Sequence, residues 1–322
     1  MEPYIEKWFN IIQGMSNDNT YKLAWGRSII EFVSINEASE LNQLIEISFQ
    51  DIAKNILKYY WNQIFFFDLL QSANKQKLPV IYQAVKELIN YYIQHNSNLP
   101  VWFNRAEQFF INHKIIFDQT INKIAHALKS DVSWRFLYAN GVTYDVYKLN
   151  ENKTFIFIQF DDYNLLKEYA EIIIQLMNYK WAQLLEKYNR APKIVSKIKG
   201  SQDNQIRRSS LNRFKEILLK QFDDNQVTDF YSGDILLKEE ISIDHVIPWS
   251  FLYSDDIWNL VITSKSNNSK KSNHKPSRDV IDKLLKRNIE LMDFIDDPMM
   301  KDELLLSIEN DYVTRYYYDL IS

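Results

Sequence analysis

The chain has 322 residues, a formal charge of −4 and no cysteine, which excludes disulfides, thiolate zinc sites and a cysteine nucleophile. Apolar residues at 46% and aromatics at 15% supply a sizeable core and exclude general disorder. No apolar run reaches the roughly 18 residues of a spanning helix. The stretch "MEPYIEKWFN" lacks a basic region followed by an apolar one, so we expect a cytoplasmic protein with no secretory signal and no membrane partner.

Residues 1–130 repeat apolar side chains at three- and four-residue spacing, which predicts helices over 4–15, 21–33, 41–70, 79–94 and 102–128. Breaks such as "GMSNDNT" and "HNSNLP" hold the turn-forming residues between them. "VTYDVYKL" and "KTFIFIQF", either side of "NEN", predict a hairpin near 142–160. A long helix over 163–189 follows and stops before Pro192. Residues 190–206 read as a basic linker, and 209–222 as another helix. The expected organisation is a helical domain over 1–189, the linker, a small α+β domain over 207–290, and a C-terminal helical segment over 291–322. The fold class is therefore α+β and mostly α.

Charge is uneven along the chain. Nine Lys/Arg face two acids between Arg190 and Lys220, and eight face two between Lys265 and Arg287. Such zones are the footprint of a polyanion site, although solvated helix faces have the same composition. Arg207, Arg208, Arg213, Lys265, Lys270 and Lys271 are the candidate phosphate contacts.

Within this basic half, "EISIDHVIP" predicts a short strand stopped by Pro248, and "WNLVITS" a second strand. "SKSNNSKKS" predicts a polar helix with Ser264 or Ser266 as its N-cap. The result is a ββα unit. Asp244 and Asn268 each offer a hard oxygen, the donor that Mg²⁺ takes alongside waters and phosphate oxygens. His245 has the one side chain whose unperturbed pKa allows proton removal from water near neutrality. Asn259, at the start of the second strand, is placed to orient that imidazole by a hydrogen bond. An adjacent Asp and His alone is a common surface ion pair; the weight lies in Pro248, Asn259, Asn268 and Lys271 standing in register with it.

Asp244-His245-Val246-Ile247-Pro248, then Asn259, then Asn268-Ser269-Lys270-Lys271 resemble the HNH (ββα-metal) endonucleases. Within that superfamily they look most like the HNH domains of CRISPR effector nucleases and restriction-like endonucleases. The resemblance covers about residues 225–280. It implies Asp244 and Asn268 as ligands of Mg²⁺ or Mn²⁺, His245 as general base and Asn259 as its positioning residue. It also implies DNA as substrate and ends carrying 5′-phosphate and 3′-hydroxyl. Many relatives carry Cys-x-x-Cys pairs for structural zinc. Here "DFYSG" stands at the first pair's place, so no zinc is expected and Phe230, Tyr231, Trp249 and Trp258 are the expected packing residues.

His274 reads as a loop residue or phosphate contact, and His95, His113 and His126 as structural or surface residues. The first 189 residues carry no nameable motif; a restriction or anti-phage role, a homodimer, and a protein or small-molecule activator are the expectations that go with a nuclease. The competing readings are a non-catalytic nucleic-acid-binding module and an RNA-cleaving HNH nuclease.

Overall fold

The computed structural model describes residues 2–39, 43–74, 76–189, 191–203, 210–222, 226–271 and 273–322, with backbone only for 199–203. The chain divides into two compact units, Met1–Asn189 with Ile194–Asn204, and Arg190–Lys193 with Gln205–Ser322.

The first unit is mainly helical. Helix α1 (Pro3–Gly14) begins with Pro at its first turn, where no N–H is needed, and buries Tyr4, Ile5, Trp8, Ile11 and Ile12. Helix α2 (Tyr21–Ile35) is buried on nearly every side. Gly26 permits this, because a Cβ there would stand 2.5 Å from Met177 Cε and 2.7 Å from Phe136.

The predicted helix over 41–70 is three elements. Strand β1 (Leu44–Ser48) comes first, then Ser48 Oγ caps α3 (Phe49–Trp61) by accepting from Asp51 N at 3.1 Å. A π-helical turn follows over Asn62–Phe66, where buried Asn62 accepts from Phe103 N at 2.8 Å. The strand's partner lies more than a hundred residues on, so nothing local announces the pairing.

Helices α4 (Val80–His95), α5 (Phe103–Asn112) and α6 (Lys114–Ala127) lie where the periodicity predicts helix. Between 138 and 160 there are two hairpins. Strands β2 (Tyr138–Ala139) and β3 (Val142–Thr143) turn through Asn140 and Gly141, both at positive φ. Strands β4 (Lys148–Leu149) and β5 (Phe155–Gln159) pair antiparallel, and β5 also pairs with β1 from Leu44↔Gln159 to Ser48↔Phe155. The predicted helix over 163–189 breaks at Tyr169 into α7 (Phe160–Glu168) and α8 (Ala170–Tyr188). Asn189 closes α8 by donating to Leu185 O at 3.0 Å and exchanging hydrogen bonds with the Leu70 backbone.

Part of the segment read as a linker is helix α9 (Ile194–Asp203), held in the first unit by buried Ile194, Lys197 and Ile198. Burial of two apolar side chains and of the whole Lys197 side chain, whose ammonium lies 5.8 Å from the Phe67 ring centre, overrides the polar composition.

In the second unit α10 (Asn212–Leu219) buries Phe214 and Leu218. Strands β6 (Ile241–His245) and β7 (Leu260–Ser264) pair antiparallel from Ile241↔Ser264 to His245↔Leu260. Between them lie α11 (Trp249–Leu252) and a 3-10 turn at Ile257–Asn259; α12 (Lys265–Lys271) follows β7 directly. The expected ββα order is thus present. Helices α13 (Arg278–Leu291), α14 (Pro298–Glu309) and α15 (Tyr312–Ile321) complete the unit. Leu304, Val313 and Tyr317 join the same core as Val246, Trp258 and Ile262, so residues 291–322 share the hydrophobic cluster of the strands. Among the described residues, no helix is long and apolar enough to cross a membrane.

Candidate active site

Strand β6 ends in Asp244 and His245, each only 7% exposed. As successive strand residues they meet different surroundings. Asp244 Oδ2 accepts a hydrogen bond from the Tyr231 hydroxyl at 2.5 Å and lies 3.1 Å from Lys271 Nζ. His245 Nε2 lies 2.9 Å from Asp255 Oδ1. Lys271, in the last turn of α12, connects the two surroundings, because its ammonium also donates to the His245 carbonyl at 2.6 Å. Burial pushes the Lys271 ammonium below its ordinary pKa, and the Asp244 carboxylate opposes that shift. Burial, and then the Asp244 charge, raise the Tyr231 hydroxyl far above its ordinary value, so it remains a protonated donor.

Asn268 sits one turn before Lys271. Its Nδ2 donates to Ile243 O at 3.0 Å and Ser242 Oγ at 2.9 Å. A carbonyl only accepts, so the amide nitrogen must face β6 and the oxygen is left over. Among the described residues neither Asn268 Oδ1 nor Asp244 Oδ1 carries a hydrogen bond. Two spare hard oxygens on adjoining elements fit a Mg²⁺-type ion that keeps several waters. No cluster of three or more His, Cys, Asp or Glu suited to a metal occurs among the described residues. A donor set of one carboxylate and one amide favours a hard cation over a transition metal.

Asn259 does something other than the expected imidazole contact. Fully buried, its Oδ1 accepts from Ile247 N and its Nδ2 donates to Ile247 O, both at 2.8 Å. Its own carbonyl accepts from Val246 N at 2.9 Å. It therefore clamps the backbone that leaves His245. The imidazole's partner is Asp255, which carries no signal in the sequence beyond being an acid in a polar loop.

A second carboxylate organises the other side. Asp229, 1% exposed, accepts at Oδ1 from Tyr231 N (2.8 Å) and Ser232 N (3.2 Å). At Oδ2 it accepts from Ser264 N (2.7 Å), Asn267 Nδ2 (2.9 Å) and Thr263 Oγ1 (3.0 Å). Burial would raise its pKa; the donors, led by Ser264 N and Asn267, outweigh burial and hold it at about 2. Asp229 thus joins the 229–233 turn to the end of β7 and the start of α12, where the resemblance would place a zinc-binding pair. Of the expected packing residues, Phe230 and Trp258 lie in the core cluster, Tyr231 packs against it, and Trp249 pairs with Tyr253 at 4.8 Å between ring centres.

The basic residues separate. Lys271 is engaged with Asp244 as described. Lys270 lines an open cavity of about 420 Å³ with Tyr231, His274, Lys275, Pro276 and Val280. His274 Nδ1 donates to Lys271 O at 2.6 Å, which closes the end of α12. Lys265 is exposed at the start of α12, and Arg213 stacks 4.5 Å from the Phe214 ring centre on α10. Arg207 and Arg208 lie outside the described residues.

The family model described as HNH endonuclease matches residues 229–277, from the Asp229 turn to just before α13. No curated protein matches the chain, and neither does any solved structure. With Asp244, His245, Asn259 and Asn268 all inside the matched span and β6, β7 and α12 in ββα order, the second unit carries a domain of the HNH endonuclease family.

Proposed function

We propose that this protein is a divalent-metal-dependent endonuclease that hydrolyses DNA phosphodiester bonds, with His245 as general base. The observation that carries the reading is the pair of spare oxygens, Asp244 Oδ1 and Asn268 Oδ1, beside the strand residue that bears the imidazole. Asp244 and Asn268 would hold Mg²⁺ or Mn²⁺, which supplies charge stabilisation at the scissile phosphate and the leaving 3′ oxygen. Neutral His245 takes the proton of the attacking water. Lys271, 3.1 Å from Oδ2, holds the Asp244 carboxylate in place. Lys270, Lys275 and Lys265 offer positive charge to the backbone of the strand. A large helical unit in the same chain as a nuclease unit supports a restriction or anti-phage setting in the cytoplasm, with the first unit recognising a target, partner or activator; that support is architectural.

The test is digestion of supercoiled plasmid and of labelled DNA and RNA with Mg²⁺, Mn²⁺ or EDTA. We expect metal-dependent cutting of DNA that EDTA abolishes. His245→Ala is expected to bind DNA as wild type does and cut about 10²–10⁴-fold more slowly. Equal nicking by the variant removes His245 from the chemistry. DNA retention without cutting in any metal favours a binding module, and cutting confined to RNA changes the substrate.

A further inference from the structure

His245 Nε2 and Asp255 Oδ1 are 2.9 Å apart, with side chains 8% and 11% exposed. An ionised carboxylate only accepts hydrogen bonds, so Nε2 carries the proton and donates it. The neutral ring is then the Nε2–H tautomer, and its lone pair is at Nδ1. A free imidazole populates both tautomers and both ring flips, and only one combination presents a basic nitrogen to a fixed point.

The loop that delivers Asp255 is itself constrained on both sides. Tyr253 adopts φ 58°, donates its N–H to Trp249 O at 2.6 Å and so ends α11 with a sharp reversal. Ser254 Oγ donates to Asp256 Oδ2 at 2.5 Å, and Asp256 O accepts from Asn259 N at 3.0 Å. Glu303 on α14 accepts from Ile257 N at 3.1 Å. A non-glycine residue at positive φ, held by these contacts, is a strained conformation that the surrounding structure over-determines.

Building on the nuclease reading, we propose that Asp255 is a positioning residue that holds His245 as the Nε2–H tautomer and presents Nδ1 as the proton-accepting atom. It acts through the imidazole, as the Asp of a Ser-His-Asp triad does through its His.

The experiment uses the full chain labelled with ¹⁵N-histidine. His245 signals are assigned by their loss in His245→Ala, and the tautomer is read from the ring nitrogen shifts at a single neutral pH. In parallel, cleavage of a labelled DNA duplex with Mg²⁺ gives kcat, KM and the Mg²⁺ half-saturation for wild type, Asp255→Ala and Asp255→Asn. The expected result is a single Nε2–H tautomer in wild type and a tautomer mixture in Asp255→Ala. With it we expect a fall in kcat of about 10²–10³-fold, less than the cost of losing an acid–base group together with its orientation. KM and Mg²⁺ half-saturation should stay within about two-fold. Asp255→Asn, which keeps an acceptor oxygen, should recover part of kcat.

A tautomer mixture or an Nδ1–H ring in wild type overturns the proposal even if the enzyme cuts. So does wild-type kcat in Asp255→Ala. A variant that fails to fold is recognised by its unfolding curve, and the wild-type shifts and Asp255→Asn then decide. If wild type shows the Nε2–H ring and cuts no nucleic acid in any metal, the nuclease reading fails and the pairing stands.

Discussion

At the scale of single residues, the second unit is organised by carboxylates that differ in what they touch. Asp244 keeps one oxygen spare, Asp255 faces an imidazole, and Asp229 is saturated by five donors. Saturation makes Asp229 a stability group with a defined pH window. Its folded pKa, about 2, lies below the ordinary carboxylate value, so its contribution is full above about pH 4 and lost as pH falls through 2. The shift corresponds to about 2 kcal/mol at neutral pH. Asp229→Asn should therefore lower the urea midpoint clearly at pH 6, and the gap from wild type should narrow at pH 3. A gap of the same size at both values would mean that the ionised carboxylate is not the stabilising species.

At the scale of elements, the exit of β6 and the entry to β7 are joined by Asn259, whose amide satisfies both backbone groups of Ile247. Removing it leaves a buried N–H and C=O unpaired, at about 1–3 kcal/mol each. Asn259→Ala should thus lose about 2–6 kcal/mol of unfolding free energy in urea titration. An Asn that only held the imidazole would show the opposite pattern, slower cutting at unchanged stability. The other half of the site depends on α12, which follows β7 without a loop and carries Asn268 and Lys271 one turn apart. Asn268→Ala removes one of the two spare oxygens. The expected outcome is a higher Mg²⁺ concentration for half-maximal cutting, with the fold intact by circular dichroism.

At the scale of the whole molecule, the chain is two compact units, and the HNH match is confined to one of them. Each chain offers one pair of candidate metal ligands, so one chain cuts one strand at a time under the proposed function. In a plasmid time course the open-circular form should accumulate before the linear form, and the linear form should gain more than proportionally as protein concentration rises if two copies act together. Direct conversion of supercoiled to linear plasmid at low protein would contradict single-strand cutting.

Helix positions in the first unit were legible, because an amphipathic stripe is a local property: Trp8, Ile11 and Ile12 on α1 or Val85, Leu88 and Ile89 on α4 are each read from their own neighbours. The Asp244–Pro248 and Asn268–Lys271 spacings were legible for the same reason, since the ββα unit is short and contiguous. Strand β1 was not, because its helix-like run acquires strand character only from β5, far along the chain. The helix within 190–206 was hidden by its polar composition until burial of Ile194 and Ile198 is seen. The same limit applies in the site. Residue types and spacing determined which side chains carry hard oxygens and a titratable imidazole. Only tertiary structure decided that Asn259 holds backbone, that Asp255 holds the imidazole and that Asp229 anchors α12, because a hydrogen-bond partner is chosen by three-dimensional proximity, which spacing along the chain does not encode.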